Sequence, residues 1–518
     1  MTQRIHHRAT VGAAGFLLCA SILHAGTVID LASQSVPAVH GTFDEEQFGY
    51  CVAAGDLDGD GDTEVVVGAP GLADSIAGAH TGAVYVFRLS TLDTLSTEAR
   101  AAALSEWMIA GSGDRGRFGS AVAVADLDGD GFDDLVVGAP TAGRDGDIAR
   151  GEVSVYFGGP GDSLNLGPDA APQIVLAGSC PGAKFGSSIL AIDLDDDEAA
   201  ELLLSEPRGG GRAGSRPGAV YIVNGAALRS VYGVAGVSDV AVASVVGESA
   251  DDALAGMAAA DTNGDGALEL VLGAYLADGP GTNLPDIGKL YIVTVREVLE
   301  RGSLSLLTDG SRTVLGLTER AFLGRSLSAG DIDSDGIGDI LVSAYASRAH
   351  RTKLEATGEV FVLFGDSGSA GEAVAGTRAL DDPAVPRFHG GSRSDLFGLP
   401  VLLADLNGDR SDDIIVASRY ADGPDGKRTA CGEVYLYWGS LRSVVAAKVG
   451  SSELADITIV GQFPGDSVGA ALLVVETSGD GPSGLLIGAP DASGIEDAGA
   501  PAPRRGKLIL LSGELLRR

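Results

Sequence analysis

From residue 48 onward, short runs that alternate small or polar with apolar residues give way to continuous apolar runs, and this happens seven times. "FGSAVAVAD" (118–126) is of the first kind, and its period of two predicts a strand with one face covered. "LVVGAP" (135–140) is of the second kind, with counterparts "LLLSEP" (202–207), "LVLGAY" (270–275), "ILVSAY" (340–345) and "LLIGAP" (485–490). These predict a strand buried on both faces that ends in a turn. After a loop comes a third run, always opened by Gly: "GAVYVF" (82–87), "GEVSVYF" (151–157), "GAVYIV" (218–223), "GKLYIV" (288–293), "GEVFVLF" (358–364), "GEVYLYW" (432–438) and "GKLILL" (506–511). A short fourth segment, such as "WMIAG" (107–111), "IVLAG" (174–178) or "ITIVG" (457–461), leads into the next unit. Each unit therefore reads as four short antiparallel strands.

Between the first and second strands sits an acidic stretch. Its copies open at Asp56, Asp126, Asp193, Asp261, Asp331, Asp405 and Glu476, spaced 70, 67, 68, 70, 74 and 71 residues apart. A period this regular marks a repeat architecture. A four-stranded sheet cannot bury both faces alone, so seven of them packed around an axis predict an all-β fold, a seven-bladed β-propeller. The last unit ends without a fourth strand, and "VPAVHGTFDEEQFG" (36–49) has the form of that strand and its lead-in. The ring is therefore expected to close with residues from both ends of the chain, which also removes an exposed edge. Blade 4 departs from the pattern: "LAGMAAAD" (254–261) lacks the Phe, and its Gly256 stands five rather than seven residues ahead of Asp261, which puts its inner strand's register in question.

In "DLDGDGDTE" (56–64), positions 1, 3 and 5 offer side-chain oxygens, the Gly at position 6 permits a sharp turn, and position 9 returns another carboxylate. Two like charges ~4 Å apart repel by roughly 4 kcal/mol at an effective dielectric of 20, so converging carboxylates call for a cation. An oxygen-only, flexible cage favours Ca²⁺ over octahedral Mg²⁺, and the want of His or Cys excludes Zn²⁺. Full sets occur in blade 1 (Asp56, Asp58, Asp60, Glu64), blade 2 (Asp126, Asp128, Asp130, Asp134), blade 4 (Asp261, Asn263, Asp265, Glu269) and blade 5 (Asp331, Asp333, Asp335, Asp339). Position 7 would add a backbone carbonyl from Asp62, Phe132, Ala267 or Ile337, which leaves the Asp62 side chain spare. Blade 3 (Asp193, Asp195, Asp197, Glu201) has Glu198 at the turn, and blade 6 (Asp405, Asn407, Asp409, Asp413) has Arg410, so weaker or distorted sites are expected there. Blade 7 (Glu476, Ser478, Asp480) ends at Gly484 without an acidic closer and is expected to hold no ion; the total is four to six Ca²⁺ sites.

Composition adds compartment and partners. The 518 residues carry a formal charge of −35, which disfavours nucleic acid and anionic lipid as partners. Residues 1–25 have a basic start at Arg4 and Arg8, an apolar stretch from Val11 to Leu23 and small residues near Ala25; they read as a secretory signal peptide ahead of a single propeller over 26–518. No later segment is long and apolar enough to span a membrane, and no stalk or anchor is expected after Arg518. Cys51, Cys180 and Cys431 are too few for a disulfide framework. A secreted or extracytoplasmic monomer, of bacterial source, is the expectation.

The "FG" at Phe48-Gly49, Phe118-Gly119, Phe185-Gly186 and Phe397-Gly398, with the "GAP" at 68–70, 138–140 and 488–490, resembles the FG-GAP repeats of the seven-bladed propeller that heads integrin alpha subunits. The resemblance covers nearly all of the chain after residue 25. It implies Ca²⁺ in the loop between the first two strands of a blade, and a partner face away from those loops.

Catalytic signals are thin. His40, His80, His350 and His389 show no metal spacing, and "GDSGS" (365–369) resembles the nucleophile segment of chymotrypsin-like proteases in the wrong fold. Connections in a four-stranded meander alternate between faces, so the loops after the second strands lie opposite the cation loops. Three of these are basic: Arg208, Arg212 and Arg216; Arg348, Arg351 and Lys353; Lys427 and Arg428. They are the candidate ligand face for an acidic protein segment or uronate glycan. The expected function is an adhesion or recognition module that is not an enzyme, with an unidentified extracellular protein or glycan as partner. The alternative is a secreted carbohydrate-active or hydrolytic propeller.

Overall fold

The computed structural model describes residues 26–34, 36–73, 81–112, 115–143, 149–160, 166, 170–210, 216–280, 284–307, 312–348, 356–367, 380–382, 385–392, 394–439, 450–476, 483–493 and 503–516. Seven antiparallel sheets follow one another as the blades of a propeller. Blade 1, for example, consists of Val52–Gly55, Glu64–Ala69, Ala83–Arg88 and Trp107–Ala110, hydrogen-bonded in that order.

The second strand of every blade is buried at all six positions, as its unbroken apolar run predicts. The first strands touch their counterparts in neighbouring blades and keep partial exposure. The core is not one mass but seven, each built by two adjacent blades. Leu57, Val66 and Val84 of blade 1 pack with Leu135, Val137 and Tyr156 of blade 2. The seventh cluster joins Leu486, Leu508 and Leu510 of blade 7 to Val65, Tyr85 and Phe87 of blade 1, and so completes the ring.

The two glycine motifs form the joint between blades. Phe48, Phe118, Phe185 and Phe397 are buried, with Leu323 and Val468 in the same role in blades 5 and 7. A Cβ on Gly82, which opens the third strand of blade 1 at φ +80°, would stand 2.2 Å from the Phe118 carbonyl of blade 2. A Cβ on Gly68 would stand 2.2 Å from the Gly119 carbonyl. Only glycine lets the incoming Phe-Gly segment lie that close to the previous blade.

Closure proceeds as expected: Ala38–His40 pairs antiparallel with Lys507–Leu511 and becomes the fourth strand of blade 7. One feature is additional. Among the described residues, a fifth strand joins five of the blades in parallel, taken from the link ahead of the next blade's fourth strand. Gly233–Gly236 pairs with Ile174–Ala177, Ser303–Ser305 with Ala243–Val246, Gly450–Ser451 with Arg387–His389, and Ala99–Arg100 with Ala38–His40. Thr27–Asp30, just ahead of the strand that closes blade 7, pairs with Ile457–Val460 of blade 6. The four-stranded units of the sequence are thus clasped by their successors.

Blade 4 resolves its register by a bulge. Ala260 pairs with Glu269 as in the other blades, and the irregularity falls between Leu254 and Gly256 at the far end. The one extra residue, Ala255, is absorbed away from the acidic loop.

Candidate cation loops

Each acidic stretch caps the hairpin between first and second strands, and the strand register places position 9 opposite the residue before position 1. The pairs are Gly55–Glu64, Ala125–Asp134, Ile192–Glu201, Ala260–Glu269, Gly330–Asp339 and Ala404–Asp413. The closing carboxylate, buried at its strand start, turns back to accept the position-2 N–H at 2.9–3.0 Å in all six. Position 1 organises the turn from the other side: Asp56 accepts from Gly59 N and Gly61 N at 2.7 and 3.0 Å, and Asp126 accepts from Gly129 N and Gly131 N at 2.8 Å each.

Blades 3 and 6 keep the backbone hydrogen bonds of this turn. The N–H groups of Glu198 and Arg410 reach Asp193 and Asp405 at 3.0 and 2.8 Å. The two residues hold φ of 73° and 75°, where Gly61 and Gly131 hold 85° and 87°. A side chain in this left-handed region costs about 1–2 kcal/mol, which the loop's hydrogen bonds offset.

Asp56, Asp58 and Glu64 bring carboxylate oxygens within 4.8 Å of one another, as do Asp126, Asp128 and Asp134; Asp193, Asp195 and Asp197; and Asp331, Asp333 and Asp339. In blades 4 and 6 the position-3 residue is an amide, and Asn263 and Asn407 donate to Glu269 and Asp413 at 2.9 and 3.2 Å. Glu64 Oε1 and Asp128 Oδ1 are buried and accept no hydrogen bond. Burial pushes Glu64, Asp134 and Asp413 up to about 7, and the neighbouring loop carboxylates add to it. Glu64 Oε1 and Asp128 Oδ1, desolvated and unpartnered, are donors that fit a hard cation.

The Asp62 side chain lies outside the converging group and is engaged elsewhere. Its carboxylate accepts from Ser90 N at 3.2 Å and from the Ser90 hydroxyl, because the chain leaving the third strand passes over this loop. Glu476 is described, Ser478 and Asp480 lie outside the described residues, and Gly484 closes the blade 7 hairpin opposite Val475 without a carboxylate.

One supporting feature escaped the sequence reading. Gly158, Gly365 and Gly439 follow the third strands of blades 2, 5 and 6, and each donates its N–H to the closing carboxylate at 2.7–2.9 Å. The recurrence of "FGG", "FGD" and "WGS" at 157–159, 364–366 and 438–440 was the available signal. It also explains the protease-like "GDSG": its Gly365 is the glycine that packs on Asp339. Of the histidines, His40 is buried with Nε2 3.4 Å from Glu98, His389 Nδ1 lies 3.1 Å from the Gly390 carbonyl, and His80 and His350 fall outside the described residues.

The basic loops connect second to third strands, at the opposite end of the blades. Arg208 and Arg216 are exposed, Arg348 lies 3.5 Å from Glu319, and Lys427 pairs with Asp425 at 3.0 Å while 80 % exposed. Arg428 is committed to the fold, gripping Asp30 of the amino-terminal strand at 2.6 and 2.9 Å. Arg212, Arg351 and Lys353 lie outside the described residues. Cys51, Cys180 and Cys431 are free thiols. Among the described residues no helix is long and apolar enough to cross a membrane.

The FG-GAP repeat family model matches residues 48–87, 118–156 and 323–363. Human phosphatidylinositol-glycan-specific phospholipase D is 32% identical over 173 residues, 33% of this chain and 20% of that protein. Human integrin alpha-IIb is 34% identical over 205 residues, 38% of this chain and 18% of that one, and human integrin alpha-7 is 37% identical over 190 residues, 35% and 14%. The matched part spans a fifth or less of each relative's length. Among solved structures, the Dos1 propeller aligns with a TM-score of 0.42 at 11% identity, covering 92% of this chain and 96% of that one.

Proposed function

We propose, on the premise that this chain is an FG-GAP repeat β-propeller similar to integrin alpha chains, that it is an exported, Ca²⁺-holding recognition module. The observation that carries the reading is the convergence of carboxylates at one end of the blades, with Glu64 Oε1 and Asp128 Oδ1 buried and unpartnered there. Positions 1, 3, 5 and 9 of blades 1, 2, 4 and 5, with the position-7 carbonyls, would hold Ca²⁺, and blades 3 and 6 share the same turn. The ion supplies positive charge that lets the loop carboxylates stay ionised together.

The opposite face is where a partner would sit. Arg208, Arg216, Arg348 and Lys427 present positive charge there on a chain of net charge −35, which suits an acidic protein segment or a uronate-bearing glycan. Residues 1–25 serve as the export signal in this reading. Binding of polygalacturonate in Ca²⁺, compared between the native chain and Arg208→Ala with Arg348→Ala, tests the assignment. The affinity should fall at least tenfold while the melting temperature holds; unchanged binding refutes this face.

A second reading, hydrolysis, has one observation of its own. A groove of about 430 Å³ between blades 5 and 6 is lined by Asp395, Asp422, Glu433 and Tyr435. Burial and the neighbouring Glu433 push Asp395 up to about 6, and burial raises Glu433. Two neighbouring carboxyls, both raised above their ordinary range by burial, are what acid–base cleavage can use. Release of reducing sugar or fatty acid from secreted polysaccharide or lipid substrates, lost in Asp395→Asn, would favour this reading.

A further inference from the structure

Two arginines reach the acidic loops from different elements of the fold and arrive at the same two positions. In blade 1, Arg88 ends the third strand and turns back over its own loop. Its Nη2 donates to Asp58 Oδ2 at 2.7 Å, its Nη1 donates to Asp60 Oδ2, and Glu106 holds its Nε from behind at 2.8 Å. In blade 2 no residue of the blade itself is bonded this way among the described residues. Arg229 instead comes from the link after the third strand of blade 3, stacked with its guanidinium 4.2 Å from the centre of the Phe157 ring. Its Nε donates to Asp128 Oδ2 and its Nη2 to Asp130 Oδ2 at 2.5 Å. Both therefore take the Oδ2 atoms of positions 3 and 5.

Neither arginine takes every carboxylate oxygen in its loop. Asp128 Oδ1 stays buried and unpartnered beside the bonded Oδ2, and so does Glu64 Oε1 in blade 1. The guanidinium thus neutralises one side of the loop and leaves oxygens for a cation on the other. Blade 3 offers the contrast. Asp193, Asp195 and Asp197 converge within 4.8 Å, and among the described residues no arginine or lysine is bonded to them. Blade 4 has the Asn263 amide on Glu269 in place of a charge.

We infer that Arg88 and Arg229 are built-in counter-ions: positioning residues that hold loops 1 and 2 in shape when no cation is bound, so that blade 3 depends on the cation and blades 1 and 2 do not. Like charges packed within a few ångströms open a turn unless something neutralises them, and a planar, always-charged guanidinium can bridge two carboxylates at once. A lysine, with one compact charge, can serve only one of them well. The inference rests on the cation reading of the loops and adds a ranking among the blades that the repeat motif does not contain: the blade with the most carboxylates and, among the described residues, no basic partner is the one that opens first on chelation.

Hydrogen exchange of the full chain, purified in Ca²⁺ and then measured with and without chelator, tests it. In chelator, amides of 201–206 should exchange at least tenfold faster than those of 64–69 and 134–139. Arg88→Met should bring 64–69, and Arg229→Met 134–139, to the blade 3 rate, with Arg88→Lys in between. In saturating Ca²⁺ the variants should match the native chain, an outcome that ordinary loss of packing would not give. Variants that exchange like the native chain in chelator, or that lose protection equally with Ca²⁺ present, overturn the inference. If chelator changes no blade of the native chain, the cation reading fails instead, and the variants still decide whether the arginines hold loops 1 and 2.

Discussion

Asp133 of blade 2 exchanges two hydrogen bonds with the backbone of Asp56 of blade 1: its Oδ2 accepts the Asp56 N–H at 2.8 Å, and its own N–H donates to the Asp56 carbonyl at 3.0 Å. Asp412 and Asp331 repeat this between blades 6 and 5, with both distances 2.8 Å. In blades 3 and 5, where position 8 is Ala200 and Gly338, the backbone bond alone survives, from Ala200 to Asp126 at 2.8 Å and from Gly338 to Asp261 at 2.7 Å. The acidic loops of blades 1, 2 and 3, and those of blades 4, 5 and 6, are therefore linked to one another.

The link explains a glycine. A Cβ on Gly55 would stand 2.3 Å from Asp133 Oδ2, and one on Gly330 would stand 2.1 Å from Asp412 Oδ2, whereas for the equivalent Ala125 and Ala404 position 8 of the following blade is Ala200 and Ser483 rather than Asp. Gly55→Ala should cost about 1–3 kcal/mol through this overlap, and Asp133→Ala about 1–3 kcal/mol through the stranded Asp56 N–H. The double variant should cost less than the sum, because removing the carboxylate makes room for the methyl group. Denaturant melts of the three variants in Ca²⁺ measure the coupling, and strict additivity contradicts the account.

Glu46 gives a pH dependence with a defined sign. It is fully buried, accepts from Tyr85 Oη at 2.7 Å and Phe43 N at 3.1 Å, and burial lifts it from 4.5 to about 7. A raised carboxyl means that the folded chain binds the proton more tightly than the unfolded one, so stability falls as pH rises from about 4.5 through about 7. The full penalty, on the order of 3 kcal/mol, applies above that window. Glu46→Gln should therefore melt higher than the native chain at pH 8 and lose its advantage by pH 5, both in saturating Ca²⁺. An advantage that does not change with pH contradicts the assignment.

The Asp30–Arg428 pair fastens the amino-terminal strand to blade 6, and the hydrogen bonds from Arg428 hold the Asp30 carboxyl below its ordinary range. A lowered carboxyl contributes stability at neutral pH that is lost as pH falls below about 4. Asp30→Asn should cost about 1 kcal/mol or less, since the pair is partly exposed, and should speed proteolytic clipping near residues 27–34 several-fold at pH 7. Equal clipping rates would show that the parallel pairing with Ile457–Val460 suffices alone.

The repeat, the second strands and the six closing carboxylates could be read from the sequence because each is a local pattern of period two or fixed spacing. The fifth strands could not. Gly233–Gly236 and Ser303–Ser305 carry weak strand signals and pair only because the next blade delivers them to a waiting edge. Glu198 and Arg410 keep the backbone turn, since φ near 75° is a strain the two N–H bonds to the loop can bear, while the blade 3 carboxylates gather as Asp193, Asp195 and Asp197 without the closing Glu201. Arg88 and Arg229 escaped notice because one sits 30 residues and the other 101 residues from its Asp partner at position 3.

Thermal unfolding of the full chain in saturating Ca²⁺ and in excess chelator tests the central claim most directly. Each site held at a hundredfold excess over its Kd adds about 2.7 kcal/mol to the folded state. Several such sites should raise the melting temperature by roughly 10 °C or more, with Mg²⁺ giving a smaller rise. A melting curve indifferent to chelator would contradict the claim that these loops are cation sites.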